Sequence, residues 1–167
     1  MSLLSAFAVL IHRYSGQDDV LVGSPIANRK EAQLEPLIGF FVNLLALRVR
    51  VKSGLSFQQL LSNVRETTLN AYRYQDVPFE RLVQELSPKR RLNSTPLFQT
   101  VFILQSIPPG LPRLKGLEIT RCAAEERHVR FDLELHATER DGRLDFLWLY
   151  NRDCLMTGAL NRWRGTI

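Results

Sequence analysis

Two runs of alternating apolar and polar residues, joined by a tight turn, constrain the fold of this chain most strongly. Residues 129–138 and 143–150 both alternate, and Glu139-Arg140-Asp141-Gly142 lies between them. An Asp-Gly pair between such runs predicts a β-hairpin, because glycine accepts the positive φ that the turn requires. Alternation also gives the second run an aromatic-rich face, which consists of Leu144, Phe146, Trp148 and Tyr150. We expect this face to lie in the core.

Four further segments have the composition of strands. Residues 45–52 alternate, which places four apolar side chains on one covered face, namely Leu45, Leu47, Val49 and Val51. Val20-Leu21-Val22 predicts a short buried strand that ends at Ser24-Pro25. Residues 97–104 are apolar on both faces, which is typical of a central strand, and residues 117–120 predict one more short strand.

Helical spacing of apolar residues predicts four helices. The first covers residues 3–14, with Leu4, Phe7, Ala8, Ile11 and Tyr14 on its inner face. The second begins after Ser56, where Ser56 and Gln59 form a capping box, and its inner stripe is Phe57, Leu60, Leu61, Val64, Thr68 and Ala71. Pro78 begins a third helix at about 78–86, which we expect to bury Phe79, Leu82, Val83 and Leu86, and residues 156–165 predict a short terminal helix.

This order of elements predicts an α+β two-layer sandwich, in which a mixed sheet carries helices on one face. The chain has 167 residues, of which 45% are apolar and 23% charged, so it has the composition of a globular protein with a core. No linker divides it, and we expect a single domain over residues 1–167.

Composition also narrows the functional classes. The net charge of +5 is spread along the chain and is densest at Lys89-Arg90-Arg91, so we expect neither nucleic-acid binding nor membrane binding. Cys122 and Cys154 lack metal-ligand spacing, and the sequence predicts no metal site. Reduced thiols and the absence of a signal peptide at the start of the sequence favour a cytoplasmic location.

Familiar catalytic signatures are absent from the sequence, which has no Gly-rich phosphate loop, no G-x-S-x-G elbow and no zinc cluster. His128 and Asp132 do form an H-x-x-x-D pattern, in which several acyltransferases use the histidine as a general base. Two fixed positions in five residues are common by chance, and here they enter an alternating strand. An ordinary strand edge is therefore the favoured interpretation of this pattern.

Four segments are not explained by local structure alone. They are Gly23-Ser24-Pro25-Ile26-Ala27-Asn28-Arg29, Ile38-Gly39-Phe40-Phe41-Val42-Asn43, Tyr74-Gln75-Asp76-Val77-Pro78-Phe79-Glu80, and Asn93-Ser94-Thr95-Pro96-Leu97-Phe98-Gln99. The amides of Asn28 and Asn43 suit irregular backbone. Asn43 follows three apolar residues, so we expect it to be buried and hydrogen-bonded. Any one segment alone would be interpreted as a loop whose backbone is held in place by a polar side chain.

Together and in this order, the four segments closely resemble the condensation domains of nonribosomal peptide synthetases. The resemblance covers about residues 3–160 and includes Phe131-Asp132-Leu133 and Tyr150-Asn151-Arg152-Asp153. Tyr74 stands where the family usually has the histidine of its H-Q-D-x-P-F-E motif. The family's catalytic motif, H-H-x-x-x-D-G, belongs to an N-terminal lobe, and this sequence contains no H-H pair.

The resemblance implies half of a two-lobed fold similar to that of CoA-dependent acyltransferases. It implies that residues 1–167 are the C-terminal lobe, that the N-terminal catalytic lobe is absent, and that the last helix is cut short. Such domains join an acyl or peptidyl thioester to the amine of an aminoacyl thioester. This lobe would supply one wall of the substrate tunnel, would contribute no catalytic residue and would be inactive alone.

The motif positions give the expected tunnel-wall or structural residues, which are Gly23, Pro25, Asn28, Arg29, Gly39, Phe41, Asn43, Gln75, Asp76, Pro78, Phe79 and Gln99. We expect Asn43 and residues 38–42 nearest the reaction centre. Arg29 and Asp76 would hold the wall by charge-assisted bonds, and the sequence leaves open whether they pair with each other.

The partners implied by the resemblance are the N-terminal lobe, carrier domains and an adjacent adenylation domain. Phosphopantetheine arms of the carriers would bring the substrates, and no cofactor is expected to bind the lobe directly. Two alternatives remain at this point: a non-catalytic module that binds carrier domains or a complementary lobe, and a standalone acyltransferase that uses coenzyme A.

Overall fold

The structure is a computed structural model that describes residues 1–86, 95–105, 115–120, 129–140 and 142–154. Within these ranges the helices are α1 (Ser2–Ser15), α2 (Phe57–Arg73) and α3 (Phe79–Leu86), with a 3-10 turn at Ala32–Leu34. The strands are β1 (Asp19–Ile26), β2 (Asn43–Arg50), β3 (Thr100–Gln105), β4 (Leu133–Arg140) and β5 (Arg143–Tyr150).

The five strands form one mixed sheet in the order β2-β1-β3-β4-β5. β1 is antiparallel to β2 and parallel to β3, whereas β4 is parallel to β3 and antiparallel to β5. The predicted hairpin is confirmed, with Leu135 opposite Trp148 and Gly142 at φ 72° in the turn. β3 lies in the middle of the sheet, as its two apolar faces predicted.

Helices α1 and α2 cover one face of the sheet, so the predicted α+β architecture is confirmed. Phe7 of α1 lies 5.9 Å from Phe102 of β3 and 6.2 Å from Trp148 of β5, measured between ring centroids. The buried core on this face also includes Leu45, Leu47 and Val49 of β2, Leu60 and Val64 of α2, and Leu133, Leu135 and Ala137 of β4.

The ends of α1 and α2 are fixed by local chemistry. Gly16 ends α1 in the left-handed conformation, at φ 69°, and donates its N–H to the carbonyl of His12. Ser56 and Gln59 form the predicted capping box, with the Gln59 N–H donated to Ser56 Oγ at 3.3 Å and the Ser56 N–H donated to Gln59 Oε1 at 2.9 Å.

Several boundary predictions were wrong. β1 continues through Pro25 to Ile26, because the register with β3 ends at Gly23 and Pro25 is opposite only Leu44 of β2, where a missing N–H is tolerated. Residues 117–120 are irregular and pair with no described strand, and Leu117 is exposed. β4 begins at Leu133 and not at residue 129.

Predicted burial also failed at some helix and strand positions. None of the α3 residues is fully buried, and Leu86 is exposed, because the helix packs mainly against β2, at one edge of the sheet. Tyr14, Phe57 and Leu144 are exposed where a core position was expected. Each lies at the end of its element, beyond the reach of the facing layer.

The opposite face of the sheet is the one that positions the candidate site. Alternation turns Val101 and Ile103 of β3, and Glu134 and His136 of β4, away from α1 and α2. Pro78 and Phe79 at the start of α3 reach this second face, where they share a pocket with Val101 and Ile103.

Some predictions fall on residues that the structure does not describe. They include the basic cluster at residues 89–91, Cys122, His128 and the terminal helix at residues 156–165. Cys154 is a free, exposed thiol, and partial desolvation by neighbouring atoms together with the nearby Asp132 carboxylate raises its pKa. In the part of the chain that is described, no helix is long and apolar enough to cross a membrane.

Candidate functional site

Asn43 joins the start of β2 to the connection between α2 and α3. Its Nδ2 donates to the carbonyls of Gln75 at 2.7 Å and Val77 at 2.8 Å, and its Oδ1 accepts from the Phe79 N–H at 3.2 Å. The predicted hydrogen bonding of Asn43 is confirmed, but the residue is half-buried and not deeply buried. One amide therefore fixes the backbone of the Gln75–Phe79 segment.

An aromatic cluster joins the other motif segments. Phe98 is buried and lies 5.4 Å from Phe79 and 5.7 Å from Phe131, between ring centroids. A Cβ atom on Gly23 would lie 2.2 Å from the Phe98 ring, so glycine is required at that position. The four motif segments, far apart in sequence, thus meet on one side of the sheet.

Arg29 holds the loop that leads into β2. Its guanidinium donates to the carbonyls of Leu34, Glu35 at 3.3 Å and Leu37 at 2.8 Å, and lies 4.2 Å above the centre of the Phe41 ring. These contacts leave Arg29 bound to its own loop, and it is Lys30 that pairs with Asp76.

Three other predicted positions have local structural roles. A Cβ on Gly39 would lie 2.9 Å from the Phe41 ring, so this glycine permits the ring to fold back over its own loop. Gln99 donates from Nε2 to the carbonyl of Thr95 at 3.1 Å, and the Thr95 hydroxyl donates to the Phe98 carbonyl at 2.6 Å. Gln75 contributes its backbone carbonyl to the Asn43 clamp.

The second face of the sheet carries a cavity of about 490 Å³, called here the sheet-face pocket. Six of the twelve predicted residues line it, namely Pro25, Asn28, Asn43, Asp76, Pro78 and Phe79. Its other lining residues include Phe40, Val42, Leu44, Val101, Ile103 and Phe131, which are apolar, and Glu80, Arg130 and Glu134, which are charged. The other six predicted residues line no part of this pocket.

An apolar loop stands beside the sheet-face pocket. Ile38 and Phe40 are almost fully exposed, and Val42 is about half exposed. Three apolar side chains so close in sequence and so open to solvent are unusual in a soluble fold. We call residues 37–42 the apolar rim.

Several lining residues of the pocket were missed by the sequence analysis, among them Val101, Ile103 and Glu134. Val101 and Ile103 were assigned only to a central strand, and Glu134 only to an alternating run. The available signal was the polar pair Glu134 and His136 on one face of a strand next to the centre of the sheet. Among the described residues, no group of three or more His, Cys, Asp or Glu side chains is placed to hold a metal ion.

Comparison with known proteins agrees with the resemblance of the motifs. The model of the condensation domain family matches residues 1–165, and the chain belongs to this family. The chain is 41% identical over 165 residues to tyrocidine synthase 3 of Brevibacillus parabrevis, an alignment that covers 99% of this chain but only 2% of that protein. It is 48% identical over 139 residues to malpibaldin synthetase of Mortierella alpina, over 83% of this chain and again 2% of that protein. The chain thus spans only a small part of the length of these relatives.

Two solved structures have the same fold. A four-domain nonribosomal peptide synthetase bound to AMP and glycine matches with a TM-score of 0.85, at 23% identity, over 96% of this chain and 13% of that one. The first condensation domain of the calcium-dependent antibiotic synthetase, in complex with a substrate analogue, matches with a TM-score of 0.71, at 21% identity, over 99% of this chain and 36% of that one.

Proposed function

We propose that this chain is the C-terminal lobe of a condensation domain in a nonribosomal peptide synthetase. In this proposal it forms one wall of the substrate tunnel and acts only together with an N-terminal lobe that carries the H-H-x-x-x-D-G motif. The observation that carries the proposal is that three of the four motif segments line one pocket, next to an exposed apolar rim, while the fourth packs its Phe98 against Phe79.

The extent of the structural match supports the assignment to one lobe. The chain aligns with 36% of a solved condensation domain while using 99% of its own length. Ile38 and Phe40 of the apolar rim are the kind of surface that a second lobe covers, since exposed apolar clusters mark interaction sites.

The chemistry is the formation of an amide between two carrier-bound thioesters. The amine of the acceptor attacks the thioester carbonyl of the donor, a C–N bond forms, the C–S bond breaks, and the amine proton leaves with the thiol. The role of this lobe is to position the two substrates. Asn43, Arg29 and the aromatic cluster hold the wall rigid, so that the amine and the carbonyl meet at reacting distance.

The substrates reach the tunnel on phosphopantetheine arms of carrier domains, and an adenylation domain loads the acceptor. These partners, and a cytoplasmic location, are part of the proposal. A non-catalytic module that binds a carrier domain or a second lobe is the competing function, because the exposed apolar rim would serve such a contact without any chemistry.

Reconstitution tests the proposal. The chain is mixed with a separately expressed N-terminal lobe and with carrier domains loaded with donor and acceptor, and the amide product is followed by mass spectrometry. We expect product only when both lobes are present, and none when the histidine pair of the N-terminal lobe is replaced by alanine. A substitution on the surface of this chain serves as the control. Asn63→Leu, at an exposed position of α2, should leave the yield of amide unchanged.

Two results would contradict the proposal. Product from this chain alone would mean that it has its own catalytic group, as an independent acyltransferase would. Tight association of the two lobes without any product would favour the non-catalytic module.

A further inference from the structure

The backbone at Leu97 adopts a conformation that a leucine rarely takes, with a φ of 71°. In the described ranges only one other residue that is not glycine has a positive φ. It is Asn28, at 50°, and a short amide side chain tolerates this region well. A leucine does not, because its Cβ then lies too close to backbone atoms. Leu97 is therefore a point of local strain in the chain.

A tight turn imposes this conformation. The Phe98 N–H donates to the Pro96 carbonyl at 3.0 Å, across Leu97 alone, which is the hydrogen bond of a γ-turn of the rare, strained type. Two side chains close the turn from outside. The Thr95 hydroxyl donates to the Phe98 carbonyl at 2.6 Å, and Gln99 Nε2 donates to the Thr95 carbonyl at 3.1 Å. Strained backbone persists only where its surroundings over-determine it in this way.

The strained turn holds the ring of Phe98 in place. Phe98 is buried, and its ring centre lies 5.4 Å from that of Phe79 and 5.7 Å from that of Phe131. Phe79 and Phe131 line the sheet-face pocket, whereas Leu97 and Phe98 do not. Because a change of φ at Leu97 redirects the chain at the next residue, relaxation of the turn would shift the Phe98 ring and the two rings that it supports.

Ordinary packing does not explain the strain. The side chain of Leu97 is half-buried, and apolar burial alone requires no positive φ. A glycine at this position would adopt the same φ freely. Strain that is kept where an unstrained residue would serve the fold is found mostly at functional sites.

We propose that Leu97 is a positioning residue for the condensation reaction. Its strained turn fixes the Phe98 ring, which holds Phe79 and Phe131 in the positions that shape the sheet-face pocket. The inference rests on the proposed function for the reaction itself. The role belongs to the backbone conformation at position 97 and not to the apolar side chain, and substitutions can separate the two.

Three substitutions separate conformation from packing. Leu97→Ile keeps an apolar side chain of the same size, but a residue branched at Cβ strongly disfavours a positive φ. Leu97→Asn keeps a similar shape, is polar, and tolerates a positive φ, while Leu97→Gly has no side chain and accepts it freely. If conformation decides, the isoleucine variant is the impaired one. If packing decides, the order is reversed.

The first measurement is the rate of amide formation by the reconstituted pair of lobes with loaded carrier domains. We expect Leu97→Ile to lower kcat at least about tenfold and to change the KM for each carrier domain less than about twofold, since misplacement slows the reaction without removing a binding contact. Leu97→Asn and Leu97→Gly should keep at least about a third of the unmodified kcat, because both accept the turn. Leu61→Ile, at a half-buried position of α2, is the matched control and should stay within about twofold.

The second measurement follows the rings without any reaction. The chain is produced with para-fluorophenylalanine, and the fluorine NMR resonances of Phe79 and Phe131 are assigned by replacing each with leucine. Both resonances should shift in Leu97→Ile and stay in place in Leu97→Asn. A role through packing alone would instead shift them in Leu97→Asn. Chemical denaturation shows whether each variant is folded.

Unimpaired turnover of Leu97→Ile, with losses in Leu97→Asn and Leu97→Gly, would overturn the inference. Losses in all three variants that follow their unfolding free energies would overturn it as well. If Leu97→Ile did not fold, a folded Leu97→Asn variant would decide, since loss of its turnover contradicts the inference and retention supports it. If the unmodified pair formed no product, the proposed function would fail, and unshifted ring resonances in Leu97→Ile would separately overturn the inference.

Discussion

The ring of Phe98 lies directly against the backbone of Gly23, so that any Cβ at position 23 would fall 2.2 Å from a ring carbon. Phe98 is itself held between Phe79 and Phe131, and it cannot move aside without opening the aromatic cluster. This one contact explains why two motif segments that are far apart in sequence depend on each other.

Gly23→Ala should therefore destabilise the fold by about 1–3 kcal/mol, the usual cost of overpacking a tight core. Chemical denaturation measures the loss. Phe98→Leu in the same chain should recover part of it, because the smaller side chain makes room for the new methyl group, and the double-mutant cycle should give a coupling of about 0.5–3 kcal/mol. Additive effects of the two substitutions would show that the contact does not limit position 23.

Asn43 is the second position at which one side chain fixes another segment. Asn43→Leu removes the donor to Gln75 and Val77 and the acceptor for the Phe79 N–H, and should cost about 1–3 kcal/mol of unfolding free energy. Asn43→Asp keeps the acceptor but places a carboxylate against two carbonyls, so it should destabilise as well.

The control for both Asn43 variants is Asn63→Leu on the exposed side of α2, which should stay within about 0.5 kcal/mol of the unmodified chain. Denaturation curves of the three variants measure the difference. If Asn43→Leu were as stable as the control while the reconstituted enzyme lost activity, Asn43 would serve the tunnel and not the fold.

Arg48 and Asp19 form an ion pair across β1 and β2, with Arg48 Nε 2.9 Å from both Asp19 oxygens. The hydrogen bond from Arg48 lowers the pKa of Asp19 from its ordinary value of 3.8. A carboxylate whose folded pKa is depressed stabilises the fold above its unfolded pKa, and that contribution disappears as the pH falls through the folded pKa.

Asp19→Asn should thus destabilise the chain at pH 7 by no more than about 0.5–1 kcal/mol, because both side chains are largely exposed. The difference between variant and unmodified chain should vanish as the pH falls well below 3.8. Denaturation midpoints from pH 7 to pH 2 measure this, and a constant difference over that range would contradict the assignment to this ion pair.

The hairpin, the capping box and the α1–α2 layer were predictable from the sequence because their signals are local. Asp141-Gly142, Ser56 with Gln59, and the stripe around Phe7 each specify structure within a few residues. The boundaries that failed depend on distant neighbours: β1 runs past Pro25 because β2 still pairs with it there, and Leu117 finds no partner strand among the described residues.

The lining of the sheet-face pocket was predictable only in part, again because sequence patterns report local structure and not the pairing of distant segments. Motif resemblance found Asn43, Asp76 and Phe79, since each belongs to a contiguous segment. Glu134 and Ile103 enter the pocket only through the register of β3 with β4, where Val101 is opposite Glu134, and no local pattern specifies that register.

The apolar rim gives the last prediction. Ile38 and Phe40 are almost fully exposed, and apolar side chains open to water promote association. The chain alone should self-associate over a concentration series in light scattering, although its charge of +5 opposes this in part. Ile38→Ser together with Phe40→Ser should restore a monomer, whereas Leu69→Ser, at an exposed apolar position of α2, should not.

Addition of a separately expressed N-terminal lobe distinguishes non-specific self-association from a specific interface. If the rim faces that lobe, one equivalent should convert the self-associated chain into a defined pair, and the doubly substituted rim should no longer bind it. The substitutions lie outside the buried core, so loss of pairing with unchanged denaturation curves would place the interface at the rim. A chain that stays monomeric at high concentration and does not bind the added lobe would contradict the assignment to half of a domain. The reason is that an uncovered interface exposes apolar surface to water, which is unfavourable and promotes association.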